Sequence, residues 1–140
     1  MSDVLTPEQR SYNMSRIRGS HTQPELRVRA YLHRLGLRYR LHAKSLPGKP
    51  DLVFPRSRAV LFVHGCFWHM HHCKYGKPVP ATNVSFWAEK RRSNVVRDRR
   101  NRAALRKEGW RVFEIWECST RDEVRMRAKL EPLVAFLRGY

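Results

Sequence analysis

Ten consecutive residues, His64-Gly65-Cys66-Phe67-Trp68-His69-Met70-His71-His72-Cys73, hold two cysteines, four histidines and two adjacent large aromatics. Thiolates and imidazoles are the ligands of tetrahedral zinc. With the distant Cys118, the residues Cys66, His71 and Cys73 make a Cys₃His set. The interval from Cys66 to Cys73 is looser than a CxxC knuckle. His69 and His72 stand by as spare imidazoles, so spacing leaves the choice among the histidines open. The competing reading is three reduced cysteines that only pack, but packing gives no account of so many histidines in so short a run. A closed four-ligand zinc site does not catalyse; it braces the chain around it. Phe67 and Trp68 lie inside the braced segment. Such a pair serves either as core filling or as a wedge between stacked base pairs.

A second group is acidic. Asp51 follows Pro50 at the head of an apolar stretch, and Glu25 lies upstream of it. A carboxylate at a turn-to-strand junction that faces another acid can hold Mg²⁺ together with phosphate oxygens and water. Such an ion stabilises the charge of phosphodiester hydrolysis and helps to generate the attacking hydroxide. A Pro-Asp pair by itself is usually a turn; here Glu25, His64 and His69 keep it company. The nuclease pattern that begins with such an aspartate continues with acid-x-Lys on the next strand. The corresponding stretch here, "AVLFVHG", has neither acid nor lysine. The general base near neutral pH then falls to His69 or His64. Asp98 could orient and charge-stabilise such a histidine, or simply pair with a neighbouring arginine on the surface.

These side chains need elements to position them. Thr22 as cap, Pro24 in the first turn and Glu25 at the capping-box position start a helix whose apolar face is Leu26, Val28, Ala30, Tyr31, Leu32 and Leu35, ending at Gly36. Leu37 to Leu41 alternates apolar with basic, as a half-buried strand does. After the turn Leu46-Pro47-Gly48-Lys49-Pro50, the short strand Asp51 to Phe54 is expected. The continuous apolar run Ala59 to Val63 is expected as a central strand covered on both faces. Residues 74–84 read as loop, Ser85 to Lys107 as a heavily basic helix, Trp110 to Trp116 as a strand with Cys118 just past its end, and Arg121 to Leu137 as a last amphipathic helix. The order αβββαβα implies a mixed sheet of about four strands flanked by helices. Residues 1–20 read as an arm or short helix and 21–140 as one domain.

The 140 residues suffice for one core, and 41% of them are apolar. Lys and Arg number 29 against 12 acids, a formal charge of +17. An excess of this size asks for a polyanion, most simply nucleic acid, bound in a salt-sensitive way. No apolar run is long enough for a transmembrane helix. The opening residues lack the layout of a signal peptide, and an odd number of cysteines argues against a disulfide framework, so a cytoplasmic protein is expected.

The stretches "RSYNMSRIRG", "SLPGKPDLVF", "VHGCFWHMHHC", "PATNVSFWAEK", "NVVRDRR" and "GWRVFEIWEC" together resemble the very-short-patch-repair (Vsr) endonucleases of bacteria. The similarity runs over nearly the whole chain. It implies a restriction-endonuclease-like core of the PD-(D/E)xK type with a structural zinc site. It also implies an enzyme that nicks one DNA strand beside a T·G mismatch, the product of 5-methylcytosine deamination, with Mg²⁺ as catalytic ion. On this resemblance Asp51 binds Mg²⁺ together with the backbone carbonyl of Val63, where some relatives carry a hydroxyl residue. His69 is the general base, supported by His64, Glu25 and Asp98. Cys66, His71, Cys73 and Cys118 hold zinc. Met14, Phe67 and Trp68 open the DNA, while Trp87 and Lys90 face it. The implied partners are mismatched double-stranded DNA and other mismatch-repair proteins, met by a monomer. Two other readings share the basic surface and the zinc: a non-catalytic protein that binds and bends DNA, and a broader structure-specific or defence nuclease on the same fold.

Overall fold

The computed structural model describes residues 22–66, 71, 73 and 84–139. Helix α1 (Gln23–Arg34) starts as its sequence dictates. Thr22 is the cap and its hydroxyl accepts from the Glu25 backbone N–H at 3.4 Å, with Pro24 in the first turn. The Glu25 side chain turns inward, where the residue is 1% exposed. Strand β1 (Arg40–Leu41) ends where its alternating pattern suggested but starts three residues later, because its antiparallel partner gives way to a 3₁₀ turn at Pro55 and leaves the residues before Arg40 little strand to pair with. Strand β2 (Leu52–Phe54), a 3₁₀ turn (Pro55–Ser57) and strand β3 (Ala59–His64) follow. Then come the long helix α2 (Val84–Lys107), strand β4 (Arg111–Trp116), the short helix α3 (Glu117–Thr120) and helix α4 (Glu123–Leu137). Helix α3 was not foreseen from the sequence.

The four strands form one mixed sheet in the order β1-β2-β3-β4. The first two pairings are antiparallel, and β3 runs parallel to β4 from Ala59↔Arg111 to His64↔Trp116. The parallel pair needs a crossover, and the segment that includes α2 supplies it. As the apolar run predicted, β3 is central and buried on both faces.

Alternation along the strands splits the core into two layers. Leu52, Phe54, Ala59, Leu61 and Ile115 face one side, where Val28 and Leu32 of α1 and Met126, Leu130, Leu133 and Val134 of α4 cover them. Val53, Val60 and Phe62 face the other, under Leu105 of α2. Among its described side chains helix α2 buries Trp87, Arg91 and Leu105, and its half-buried Asp98 and Arg102 lie along the same stripe. Arg92, Arg97, Arg99, Arg100, Arg106 and Lys107 are exposed on it. Among the described residues no helix is long and apolar enough to cross a membrane.

Candidate active site and metal centre

Because β3 and β4 are parallel and β2 runs against them, three strands bring their chemistry to one end of the sheet. There β3 ends at His64, β4 ends at Trp116, and β2 begins just after Asp51. The Asp51 Oδ2 accepts a 2.6 Å hydrogen bond from the Val63 backbone N–H. In an extended strand a residue's N–H and C=O point to the same side, so the Val63 carbonyl is directed to the same edge of β3. Its apolar side chain has no part in this arrangement.

Glu25 reaches the same place from α1. Arg29 donates Nη1 to Glu25 Oε2 at 3.2 Å, and His42 Nε2 lies 2.8 Å from the same oxygen. His42 in turn donates its backbone N–H to the Asp51 carbonyl at 3.1 Å. Donor atoms of Glu25, His42 and Asp51 all lie within 4.8 Å of one another, a set able to hold a metal ion. The pairing of Glu25 with Asp51 was expected from sequence; His42 was not. Its position follows from the left-handed turn that ends β1, which no periodicity announces.

On the α2 side of the sheet, His64 Nε2 lies 2.7 Å from Glu114 Oε2, and Arg102 donates Nη1 to the same oxygen at 3.1 Å. Burial alone would raise the Glu114 pKa. The hydrogen bond and charge of His64, followed by the charge of Arg102, outweigh burial and the opposing charge of Asp98, so the carboxyl is held below its ordinary range. His64 bonds to Glu114, and Asp98 is near enough to act on the same carboxylate through its charge. Glu114 shares strand parity with Trp116, and this alternation in "VFEIW" was the available signal.

His64 is stacked on Phe62 at 5.7 Å and tilted against Trp116 at 4.6 Å. On Trp116 also stacks His71, at 4.2 Å between ring centres. His71 belongs to the Cys/His cluster. Its Nδ1 is 3.6 Å from both the Cys66 and Cys118 sulfurs, and Cys66, His71, Cys73 and Cys118 keep their donor atoms within 4.8 Å of one another. Zinc bonds of about 2.3 Å to sulfur and 2.0–2.1 Å to nitrogen set tetrahedral S···N edges at about 3.5–3.6 Å. The donor set and its spacing therefore fit a structural zinc. Burial pushes the Cys66 thiol well above its ordinary range. The Cys118 backbone N–H works against this, while the Cys73 and Cys118 thiols add to it. A thiol so placed keeps its proton until a cation takes the proton's place. The cluster ties the end of β3 to α3, which the parallel register of β3 and β4 brings alongside.

His69, Phe67, Trp68 and Met14 lie outside the described residues, as does the N-terminal arm. Of the two residues expected to face DNA on α2, Lys90 is half-buried. Trp87 is buried, edge-on to Phe86 at 5.0 Å, and Phe86 is the exposed aromatic of that turn at 56%.

Residues 2–75 match the family described as DNA mismatch endonuclease Vsr. The chain is 49% identical over 136 residues to the type II nicking enzyme V.XorIIP of Xanthomonas oryzae, covering 94% of this chain and 99% of that one. It is 40% identical over 134 residues to the type II nicking enzyme V.NmeAIP of Neisseria meningitidis, covering 96% and 95%. With the DNA mismatch endonuclease Vsr of Escherichia coli the identity is 46% over 126 residues, covering 90% of this chain and 80% of its relative. On the strength of this likeness across almost its full length, the chain belongs to the Vsr family of DNA mismatch endonucleases.

Proposed function

We propose that this protein is a hydrolase that nicks one strand of duplex DNA beside a T·G mismatch, and so starts short-patch repair of deaminated 5-methylcytosine in the bacterial cytoplasm. The observation that carries the reading is the Asp51 carboxylate at the sheet end, bonded to the Val63 backbone and flanked by Glu25. Mismatch and nicking activities in the names of its relatives supply the reaction class.

When bound between Asp51 and the Val63 carbonyl, Mg²⁺ supplies positive charge to the phosphodiester and acidity to water. Asp51 holds that position. His69 takes the proton from the attacking water. His64 and Asp98 orient groups on the α2 side, and Glu25 does so from α1. Cys66, His71, Cys73 and Cys118 hold zinc and fix the loop that carries Phe67 and Trp68. Those two rings, with Met14 from the arm of residues 1–20, enter the stack beside the mismatch. A mispaired step costs less to open than a paired one. The first two turns of α2, with Trp87 and Lys90, lie along the DNA, and the protein works as a monomer.

The test is a panel of labelled duplexes carrying T·G, each other mismatch, or full pairing, incubated with Mg²⁺. A single nick confined to the T-containing strand of the T·G duplex is expected. Equal cutting of all mismatches would replace this reading with a general structure-specific nuclease. Tight binding with no product from any duplex would leave a DNA-bending protein.

A further inference from the structure

Metal ions choose among sites by donor type as well as by charge. An all-oxygen site suits Mg²⁺, whereas an imidazole nitrogen shifts preference toward first-row transition ions. His42 places such a nitrogen at the candidate catalytic centre. We propose that His42 is a direct ligand of the divalent ion at Asp51, completing a Glu25–His42–Asp51 set that binds Mn²⁺ in preference to Mg²⁺. The inference rests on Asp51 being the metal-binding carboxylate.

Three observations carry it. The donor atoms of the three residues lie within 4.8 Å of one another. His42 Nε2 and Glu25 Oε2 are 2.8 Å apart. An octahedral ion with bonds of about 2.1 Å sets neighbouring donors about 3.0 Å apart, so this pair is already close to one edge of such a shell. Finally, His42 bears a side chain at φ +46°, a conformation that costs a residue of this kind about 1 kcal/mol or more and that collects at ligand sites. The strain is held by the His42 N–H bond to the Asp51 carbonyl. That bond fixes the imidazole-bearing residue to the residue that supplies the second carboxylate.

Glu25 gives the set its remaining character. It is 1% exposed and faces both Arg29 and His42. A carboxylate buried to this degree requires compensation by cations. His42 could serve only as an outer partner that orients Glu25, and loss of affinity alone would not separate the two roles, since removing an outer partner also weakens metal binding about 10–100-fold. Nitrogen bonded to the ion separates them.

The experiment is pulsed electron paramagnetic resonance of Mn²⁺ added to protein whose Cys66–His71–Cys73–Cys118 cluster is already filled with zinc, alongside Mn²⁺ and Mg²⁺ binding isotherms. The variants are His42→Gln, which keeps a polar group toward Glu25, and Asp51→Ala. The wild type is expected to show a directly bonded imidazole nitrogen. In His42→Gln that signal should vanish and the preference for Mn²⁺ over Mg²⁺ should fall about ten-fold or more. A wild-type spectrum without bonded nitrogen overturns the proposal whether or not either variant folds. An unchanged nitrogen signal in His42→Gln overturns it too, by assigning the ligand to another histidine. Wild-type Mn²⁺ affinity in Asp51→Ala would instead remove the metal from Asp51 and sink the underlying reading.

Discussion

Glu114 is a carboxylate between a buried imidazole and a guanidinium, and its titration has a defined sign. Its folded pKa lies below the ordinary glutamate value of 4.5. The stability it contributes is therefore present above that value and is lost as pH falls through the lower folded value. Acid unfolding followed by circular dichroism should show Glu114→Gln less stable than wild type at neutral pH, with the gap narrowing below 4.5. A gap that widens on acidification would contradict the assignment. The residue scale was also where the sequence was partly legible. Asp51, Glu25 and the cysteines could be picked out because their types are rare in such surroundings. His42 and Glu114 could not, because their roles depend on a left-handed turn and on the register between β3 and β4.

Two parallel strands held at one end by a Cys/His cluster explain how the elements share the work. Leu61 of β3 is 1% exposed in the layer between the sheet and helices α1 and α4. Leu61→Ala should lower unfolding stability by about 2–5 kcal/mol in urea titrations. Gly48 sits in the turn before β2 at φ +76°, and a Cβ there would meet the Asn101 side chain at 2.9 Å. Gly48→Ala should therefore destabilise by about 1 kcal/mol or more, and Asn101→Ala should restore only part of the loss because the Asn101 Cβ, the nearest atom, and the backbone strain both stay. The three long helices and three strands were readable from apolar periodicity and capping residues. Strand β1 was over-read at its start, since alternation in Leu37 to Leu41 cannot reveal that its partner β2 stops at Phe54. Helix α3 is a short turn set by the cluster and by Thr120, whose hydroxyl donates to the Glu117 carbonyl at 2.7 Å. It has no periodicity of its own.

At the scale of the molecule, a formal charge of +17 is the dominant property. Binding to duplex DNA should fall about 10³-fold or more between 50 and 200 mM salt if six or more phosphates are contacted. Removing Arg97 or Arg100, both exposed on α2, should reduce the salt slope by about one if that helix lies along the backbone. An unchanged slope would move the DNA to another face. Composition announced this partner class; it could not say which face meets the duplex, because arginines are spread along the chain.

The most direct measurement compares wild type with Asp51→Ala on a T·G duplex labelled on both strands, with Mg²⁺ present and binding followed in parallel. Asp51→Ala is expected to bind the duplex as the wild type does and to leave both strands intact, while the wild type nicks the T strand. Nicking by Asp51→Ala at the wild-type rate would contradict the placement of the hydrolytic centre at the end of the sheet.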